Sequence, residues 1–327
     1  MIEQAKGINL VWLSKTDLTN LNAGEGGTNL IDVKKYKYQG KDYPYVSGQA
    51  MRFYLKEMIR RGIKPEEACI PDREGRGCGR VDSCVLCDLF GFMIPELAMG
   101  ANIRVSPVKV STAMGLLPFE DNSVVDFLLQ LQKYREPGEK IEPTPVSVEL
   151  AINAYKAGVS IDAVRVGAEE EAPKIGETLL GKGGKTRPIH GLNLKELVAP
   201  VEKKRRIRLL LEAVKNFSDY SKQARLLTDF TPDLILISIQ DRYSHRLQKA
   251  LELRKDSEHS EGEISLNVQR MQDILKDIKP YCKALFAGVI EGIIVNGDEF
   301  TGSLKDIGVK VTTPGEAIDN AIYALNI

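Results

Sequence analysis

Four of the five cysteines of this chain fall between Cys69 and Cys87, and no other residues imply chemistry so clearly by type and spacing. Cys84 and Cys87 form a C-x-x-C knuckle, Cys78 lies six residues earlier and Cys69 nine before that. Four thiolates from one compact loop can close a tetrahedral zinc site, which would supply folding energy where a loop has little core of its own. Buried or free thiols are the alternative. A redox pair at a helix N-terminus would not call for two further cysteines, and disulfides are seldom kept in the cytosol. The cytoplasm is the expected location. MIEQAKGINLVWLSKTD has no basic region followed by an apolar run and a cleavage site, and no window approaches the roughly eighteen apolar residues of a membrane span.

Other candidate chemistries fail at particular positions. Gly176, Gly181 and Lys182 follow the phosphate-loop pattern until Gly183 replaces the serine or threonine that would hold magnesium. A frame shifted to Lys185 and Thr186 has Leu179 where glycine is needed. GEGGTN, from Gly24 to Asn29, is one residue short of a dinucleotide fingerprint, and no helical pattern opens directly after it. Of the three histidines, His190, His245 and His259, none lies in an HExxH motif or near a cysteine in sequence. Nothing here demands an enzyme. Lysine plus arginine equals aspartate plus glutamate at 45 each, so bulk attraction to nucleic acid is excluded and only a local basic stripe could bind a polyanion.

With 327 residues, 43% of them apolar, the chain can build one large or two modest domains. Gly7 to Ser14 reads as an apolar strand opening into LNAGEGGTN, a glycine-dense loop that permits close backbone approach to a ligand. After a strand at Tyr36 to Tyr38 and the turn QGKDYP, Ser47 stands as a helix N-cap. Met51, Tyr54, Leu55, Met58 and Ile59 then give one buried face before Gly62 stops the helix. Arg52, Lys56 and Arg60 repeat at four residues as a basic stripe beside that face, a spacing that fits a solvated surface equally well. Position favours phosphate, because the free amides of Ser47, Gly48 and Gln49 open the helix next to the glycine loop.

Asn102 to Ser111, Val146 to Tyr155 and Gly158 to Val166 read as strands, with PFEDNSVVDFLLQLQKYREPGEKIEPTP as an insertion between the first two. Residues 167–200 are acidic, then glycine-rich and basic, and flexible in part. A long helix follows from about Glu202 to Lys222. Lys203 to Arg206 stand at its start, where the macrodipole disfavours cations, and a solvated face is the expected reason. DLILISI, Asp233 to Ile239, reads as a strand buried on both faces. A helix near Val268 to Lys279, a β-hairpin turning at Asn296 and Gly297, and an amphipathic helix from Gly315 to Leu325 complete the pattern.

In this order, LNAGEGGTN, YPYVSGQAMRFYLKE, CDLFGFM, IRVSPVKVS and the helix leading into DLILISI resemble the backbone subunit of type I CRISPR interference (Cascade) complexes. The resemblance is to the seventh Cas family in its DevR/Cst branch and covers nearly the whole chain. It implies an α+β fold: a modified RNA-recognition-motif (ferredoxin-like) palm with a finger insertion and a β-hairpin thumb. One domain would span 1–327, with the finger at about 63–101, the thumb at about 133–148 and a flexible Gly/Lys-rich loop at about 167–200. The implied function is a non-catalytic RNA-binding scaffold with no membrane involvement. Copies line up along a CRISPR RNA beside other Cascade subunits and present the guide for pairing with target DNA. Zinc held by Cys69, Cys78, Cys84 and Cys87 would brace the finger while Leu89, Phe90 and Phe92 anchor it to the palm.

Carried over residue by residue, the family's grip on the guide falls on Asn22, Gly24, Gly26, Gly27, Thr28 and Asn29 in the loop. It continues through Ser47, Gln49, Arg52 and Lys56 on the helix, and Arg104 and Lys109 on the adjoining strand. Amides and cations hold phosphates whatever the guide sequence, leaving base edges free to pair. The competing implication is a metal-dependent RNase of a type III-like effector complex. Type III relatives cut target RNA with an aspartate of the first loop, and Asp17, Glu25 and Asp32 lie near the corresponding stretch.

Overall fold

A computed structural model describes residues 5–23, 30–72, 74–96, 100–130, 144–170, 178–180, 186–188, 194–218, 226–254 and 263–327. Strand β1 (Gly7–Thr19) separates two layers of core, with Ile8, Leu10 and Trp12 on one side and Val11 and Leu13 on the other. The chain continues through β2 (Leu30–Ile31), the hairpin of β3 (Lys35–Tyr38) and β4 (Lys41–Val46), and helix α1 (Gly48–Arg61). The Ser47 hydroxyl caps α1 by accepting the Ala50 amide at 3.2 Å, and Gly62 ends it. Met51, Tyr54, Leu55 and Ile59 are buried, as the periodicity predicts, and Met58 is half-buried.

The short helix α2 (Val85–Phe90) leads into β5 (Phe92–Glu96) and β6 (Gly100–Arg104), which form a separate ribbon. Then come β7 (Val108–Val110), β8 (Ala113–Gly115), β9 (Ser123–Gln130) and β10 (Thr144–Asp162). Strand β11 (Ala168–Glu170) pairs with β14 (Leu194–Glu196), and β12 (Thr178–Leu180) with β13 (Thr186–Pro188). Helix α3 (Pro200–Lys215), β15 (Leu234–Gln240), α4 (Val268–Ile278), β16 (Cys282–Val289), α5 (Gly297–Asp306), β17 (Val311–Thr312) and α6 (Pro314–Leu325) follow.

One sheet organises these elements, in the order β17-β16-β15-β1-β10-β8-β4-β3, with β2, β7 and β9 also paired to β10. The pairings are antiparallel except for β2 with β10 and β16 with β17. At the centre stand β15, β1, β10 and β7 as consecutive antiparallel neighbours. Helix α1 falls between β1 and β7 in sequence, and α3 between β10 and β15. Helices α1, α3 and α6 cover the face carrying Ile8, Leu10 and Trp12. Helices α4 and α5 cover the part of the other face around Val11 and Leu13. All seven residues of β15 are buried, because the strand has neighbours on both edges and helices on both faces.

Several boundaries differ from the sequence expectation. The strands expected at Val146 to Tyr155 and Gly158 to Val166 are one continuous β10, since β1 pairs with it through the expected break. Gly158 is not a turn. A Cβ there would collide with the side chain of Gln248, which crosses the strand and donates from Nε2 to the Leu10 carbonyl at 2.8 Å. Conversely, Asn102 to Ser111 is interrupted before β7, where Pro107 has no amide to donate. The long helix starts at Pro200, fitting as a first helical residue, and ends at Lys215 rather than Lys222.

The hairpin expected at Asn296 and Gly297 is instead the start of α5. The Asn296 amide bonds the backbone of Leu266 in both directions, at 2.9 and 2.8 Å, and this anchors it as a helix entry. Of the thumb expected at about 133–148, residues 133–143 lie outside the described residues, and 144–148 begin β10.

Candidate metal centre and cationic surface

Cys84 is the N-cap of α2, and its sulfur accepts the Cys87 amide at 3.4 Å. The turn thus formed directs Cys84 and Cys87 to one side, and the loop before it returns Cys69 and Cys78 to the same place. The four sulfurs lie within 4.8 Å of one another. Cys87 Sγ is 3.6 Å from Cys69 Sγ and 3.7 Å from Cys78 Sγ. A tetrahedral ion with bonds of about 2.3 Å spaces its sulfurs by about 3.8 Å, so the donor set and its size suit zinc. Backbone amides favour thiolates here: Cys69 N–H points at Cys84 Sγ and Cys78 N–H at Cys69 Sγ, each at 3.4 Å. Hydrogen bonding from Cys87, together with these amides, pulls the Cys84 thiol down to about 4.

Directly behind the cysteines lies a buried ionic centre that sequence reasoning missed. Asp88, on α2, is fully buried and receives Arg206 Nη1 at 2.8 Å, Arg104 Nη2, and the Gly167 amide at 3.0 and 2.9 Å. Arg206 also donates to the carbonyls of Val81 and Asp82 and pairs with Glu202, while Arg104 donates to the carbonyls of Asp88, Ala168 and Arg165. Every guanidinium nitrogen has a partner, which is the condition for burying such charges.

The expectation that Lys203 to Arg206 form a solvated face is therefore corrected. Arg206 is buried, Arg205 pairs with Glu67 and Glu202, and Lys203 donates to Glu196 and to the Val164 carbonyl. The only hint in the sequence was the cost of cations at a helix start.

Helix α1 lies against the other side of α2. The Arg52 guanidinium donates to the Phe90 carbonyl and to Ser106 Oγ, and Lys56 Nζ stands 5.5 Å from the Phe90 ring. Lys109 Nζ donates to the Ser106 carbonyl at 2.6 Å. Burial, and then the positive charge of Arg52, push the ammonium groups of both Lys56 and Lys109 below their ordinary range. None of the three cations has a carboxylate partner within 4.0 Å among the described residues. Leu89 and Phe90 are buried and Phe92 half-buried beneath them. Gly91, at φ +69°, reverses the chain there, and a Cβ would meet the backbone of Ser106 at 2.9 Å.

The remaining predicted binding residues divide by location. Asn22 Oδ1 accepts the Ser47 amide at 2.9 Å, tying the end of the glycine loop to the start of α1. Gln49 is exposed on the first turn, and Arg104 is held in the ionic centre rather than on the surface. Gly24, Gly26, Gly27, Thr28 and Asn29 lie outside the described residues, as does Glu25. Asp17 and Asp32 join no group placed to share a metal; among the described residues only the four cysteines do. Among the described residues no helix is long and apolar enough to cross a membrane.

These features define an α+β protein built on a large, mostly antiparallel sheet, with a four-cysteine centre docked beneath a cationic helix. Residues 15–242 match the family described as CRISPR-associated negative auto-regulator DevR/Csa2, and the chain belongs to that family. Two solved structures share its fold over nearly their whole length. A chain from a CRISPR RNA-guided surveillance complex is 14% identical with a TM-score of 0.56, the match covering 98% of this chain and 99% of the other. A chain from such a complex described as pre-nicking is 12% identical with a TM-score of 0.57, covering 97% and 99%. No curated protein matches the sequence.

Proposed function

We propose that this chain is a non-catalytic RNA-binding backbone subunit of a Cascade-type surveillance complex, oligomerising along the CRISPR RNA and presenting it for pairing with target DNA. The observation that carries the proposal is the group of Arg52, Lys56 and Lys109, crowded on one surface with no carboxylate within 4.0 Å among the described residues, Asp162 acting on Lys109 only from farther off. Like charges are held together at a cost unless a polyanion neutralises them. The amides of Gly48 and Gln49 adjoin this surface, while the Ser47 amide, expected to be free, is taken by Asn22 and the Ala50 amide by the Ser47 hydroxyl; we assign Ser47, Gln49 and the glycine loop to the same phosphate track.

The order β15-β1-β10-β7, with α1 and α3 as its crossovers, supports a ferredoxin-like palm of the RNA-recognition type. In this reading residues 63–101 are the finger, braced by zinc on Cys69, Cys78, Cys84 and Cys87, and residues 133–148 the thumb. Arg104 acts by positioning the finger rather than by touching RNA. A net charge of zero lets copies pack side by side without strong repulsion. Likeness to chains of CRISPR RNA-guided surveillance complexes extends the proposal to a guide RNA and other subunits as partners, acting in the cytoplasm.

The test is to express the chain with a CRISPR array and purify it. The wild type should carry RNA of about one repeat-spacer length in a large oligomer, and Lys56→Glu combined with Lys109→Glu should lose both while keeping its circular dichroism. Arg52 is left intact because its bond to Phe90 also docks the finger. A double variant that retains RNA at the wild-type ratio would refute the reading.

A further inference from the structure

Between the glycine loop and α1, the sequence KKYKYQGKDYPY alternates lysine with tyrosine about the Gln39-Gly40 turn, and the phosphate track leaves it unused. Gln39 and Gly40 have φ of 49° and 82°, a two-residue turn whose twist suits a tight hairpin. β3 and β4 pair with Tyr36 opposite Tyr43 and Tyr38 opposite Lys41. Directly opposed residues and those two apart share a face, so Tyr36, Tyr38, Tyr43 and Tyr45 project together. The rings of Tyr36 and Tyr43 stack with centroids 5.4 Å apart, and Tyr45 and Tyr38 meet them edge-on at 6.3 and 6.4 Å.

The face continues a surface of the main sheet. Tyr45 is opposite Met114, Met114 opposite Lys156, and Lys156 opposite Leu13. That is the side away from α1 and α3. The Tyr36 hydroxyl donates to the Gly115 carbonyl at 3.0 Å and anchors the inner end of the ladder. The outer end is open, with Tyr38 52% exposed.

Cations frame the rings. Lys41, opposite Tyr38 on the ladder face, lies 3.7 Å from Asp121, a loose pair that a phosphate could replace. Lys34 has no ion-pair partner among the described residues. Edge lysines also discourage strand addition, but that leaves the ordered aromatic ladder and its open end unexplained.

We propose that the tyrosine face of the β3–β4 hairpin is a stacking platform for unpaired bases of a single-stranded nucleic acid, with Lys34 and Lys41 against its phosphates. Aromatic rings accept any base because every base has a π-face, and duplexes, whose bases are already stacked, are refused. The contact is separate from the α1 surface and does not require the guide-binding reading.

Trp12 is the only tryptophan and is buried, so Tyr38→Trp in the full chain adds one exposed fluorophore at the open end of the ladder. Oligothymidine should quench it, and the same strand annealed to oligoadenine should not. Tyr38→Ala should weaken oligothymidine binding at least about fivefold, and Tyr38→Phe should retain it. The quench should persist in a Lys56→Glu, Lys109→Glu background. Equal quenching by the duplex, no quenching, wild-type binding by Tyr38→Ala, or loss of the quench in the charge-reversed background would each overturn the proposal.

Discussion

The carboxylate of Asp88 meets the guanidinium of Arg206 at 2.8 Å in the protein interior, with the two side chains 0% and 2% exposed. This contact joins α2, which carries two of the cysteines, to α3 on the main sheet, and through Arg104 it also holds the base of the β5–β6 ribbon. The cysteine loop is thereby attached by charge on one side of α2 and by the Phe90 ring beneath α1 on the other.

Asp88→Ala should therefore be severe, because it removes the carboxylate from the buried Arg104 guanidinium and leaves Arg206 with Glu202 alone. Loss of one partner of such a group costs about 3–5 kcal/mol. Urea unfolding should show that loss as a lower midpoint. A change under about 1 kcal/mol would mean that water reaches the site and the centre is not a lock.

Elemental analysis of the purified protein should find about one zinc per chain. Cys84→Ser should lower zinc content sharply and raise hydrogen exchange across residues 69–92, while β1 and β15 stay protected. Cys282→Ser serves as the control, since Cys282 lies on β16 away from the cluster and should leave zinc unchanged. Zinc-free wild-type protein with full protection of that loop would remove the metal from the account.

Alkaline pH should expose the tyrosine ladder. Burial, then the neighbouring phenols of Tyr43 and Tyr38, push the Tyr36 hydroxyl up to about 12 from its ordinary 10.0. The folded state thus holds its proton to higher pH than the unfolded chain. The resulting stability is fully present below pH 10 and lost as pH rises toward about 12. Tyr155, raised by complete burial, contributes in the same direction. Unfolding free energies measured across this range should fall, and Tyr36→Phe should reduce the slope by about one proton. An unchanged slope would show that Tyr36 titrates normally.

Local signals in the sequence translated well wherever neighbours in the chain decide the outcome. Ser47 caps α1 as its chemistry predicts and Gly62 ends it, though at φ −93° rather than in the left-handed conformation of a glycine stop, and Leu234 to Ile239 of DLILISI are all buried strand residues. The cysteine spacing does converge on one point. Less was legible where a distant partner overrides local preference. Asn296 and Gly297 carry a hairpin signal, but the backbone of Leu266 captures the asparagine. Gly158 looks like a strand break, but β1 pairs straight through it.

By itself, then, the sequence determined the periodicities, the caps, the cysteine cluster and the order of motifs that marks the family, because each rests on residues within a few positions of one another. Only the tertiary structure decided which charges are free. Arg104 and Arg206 resemble Lys56 and Lys109 in one dimension, yet the first two share Asp88, with Glu202 also on Arg206, and the last two have no carboxylate within 4.0 Å among the described residues. A charge is a binding group or a structural one according to what the fold brings within a few ångströms of it, and for Arg206 that partner lies 118 residues away in the chain.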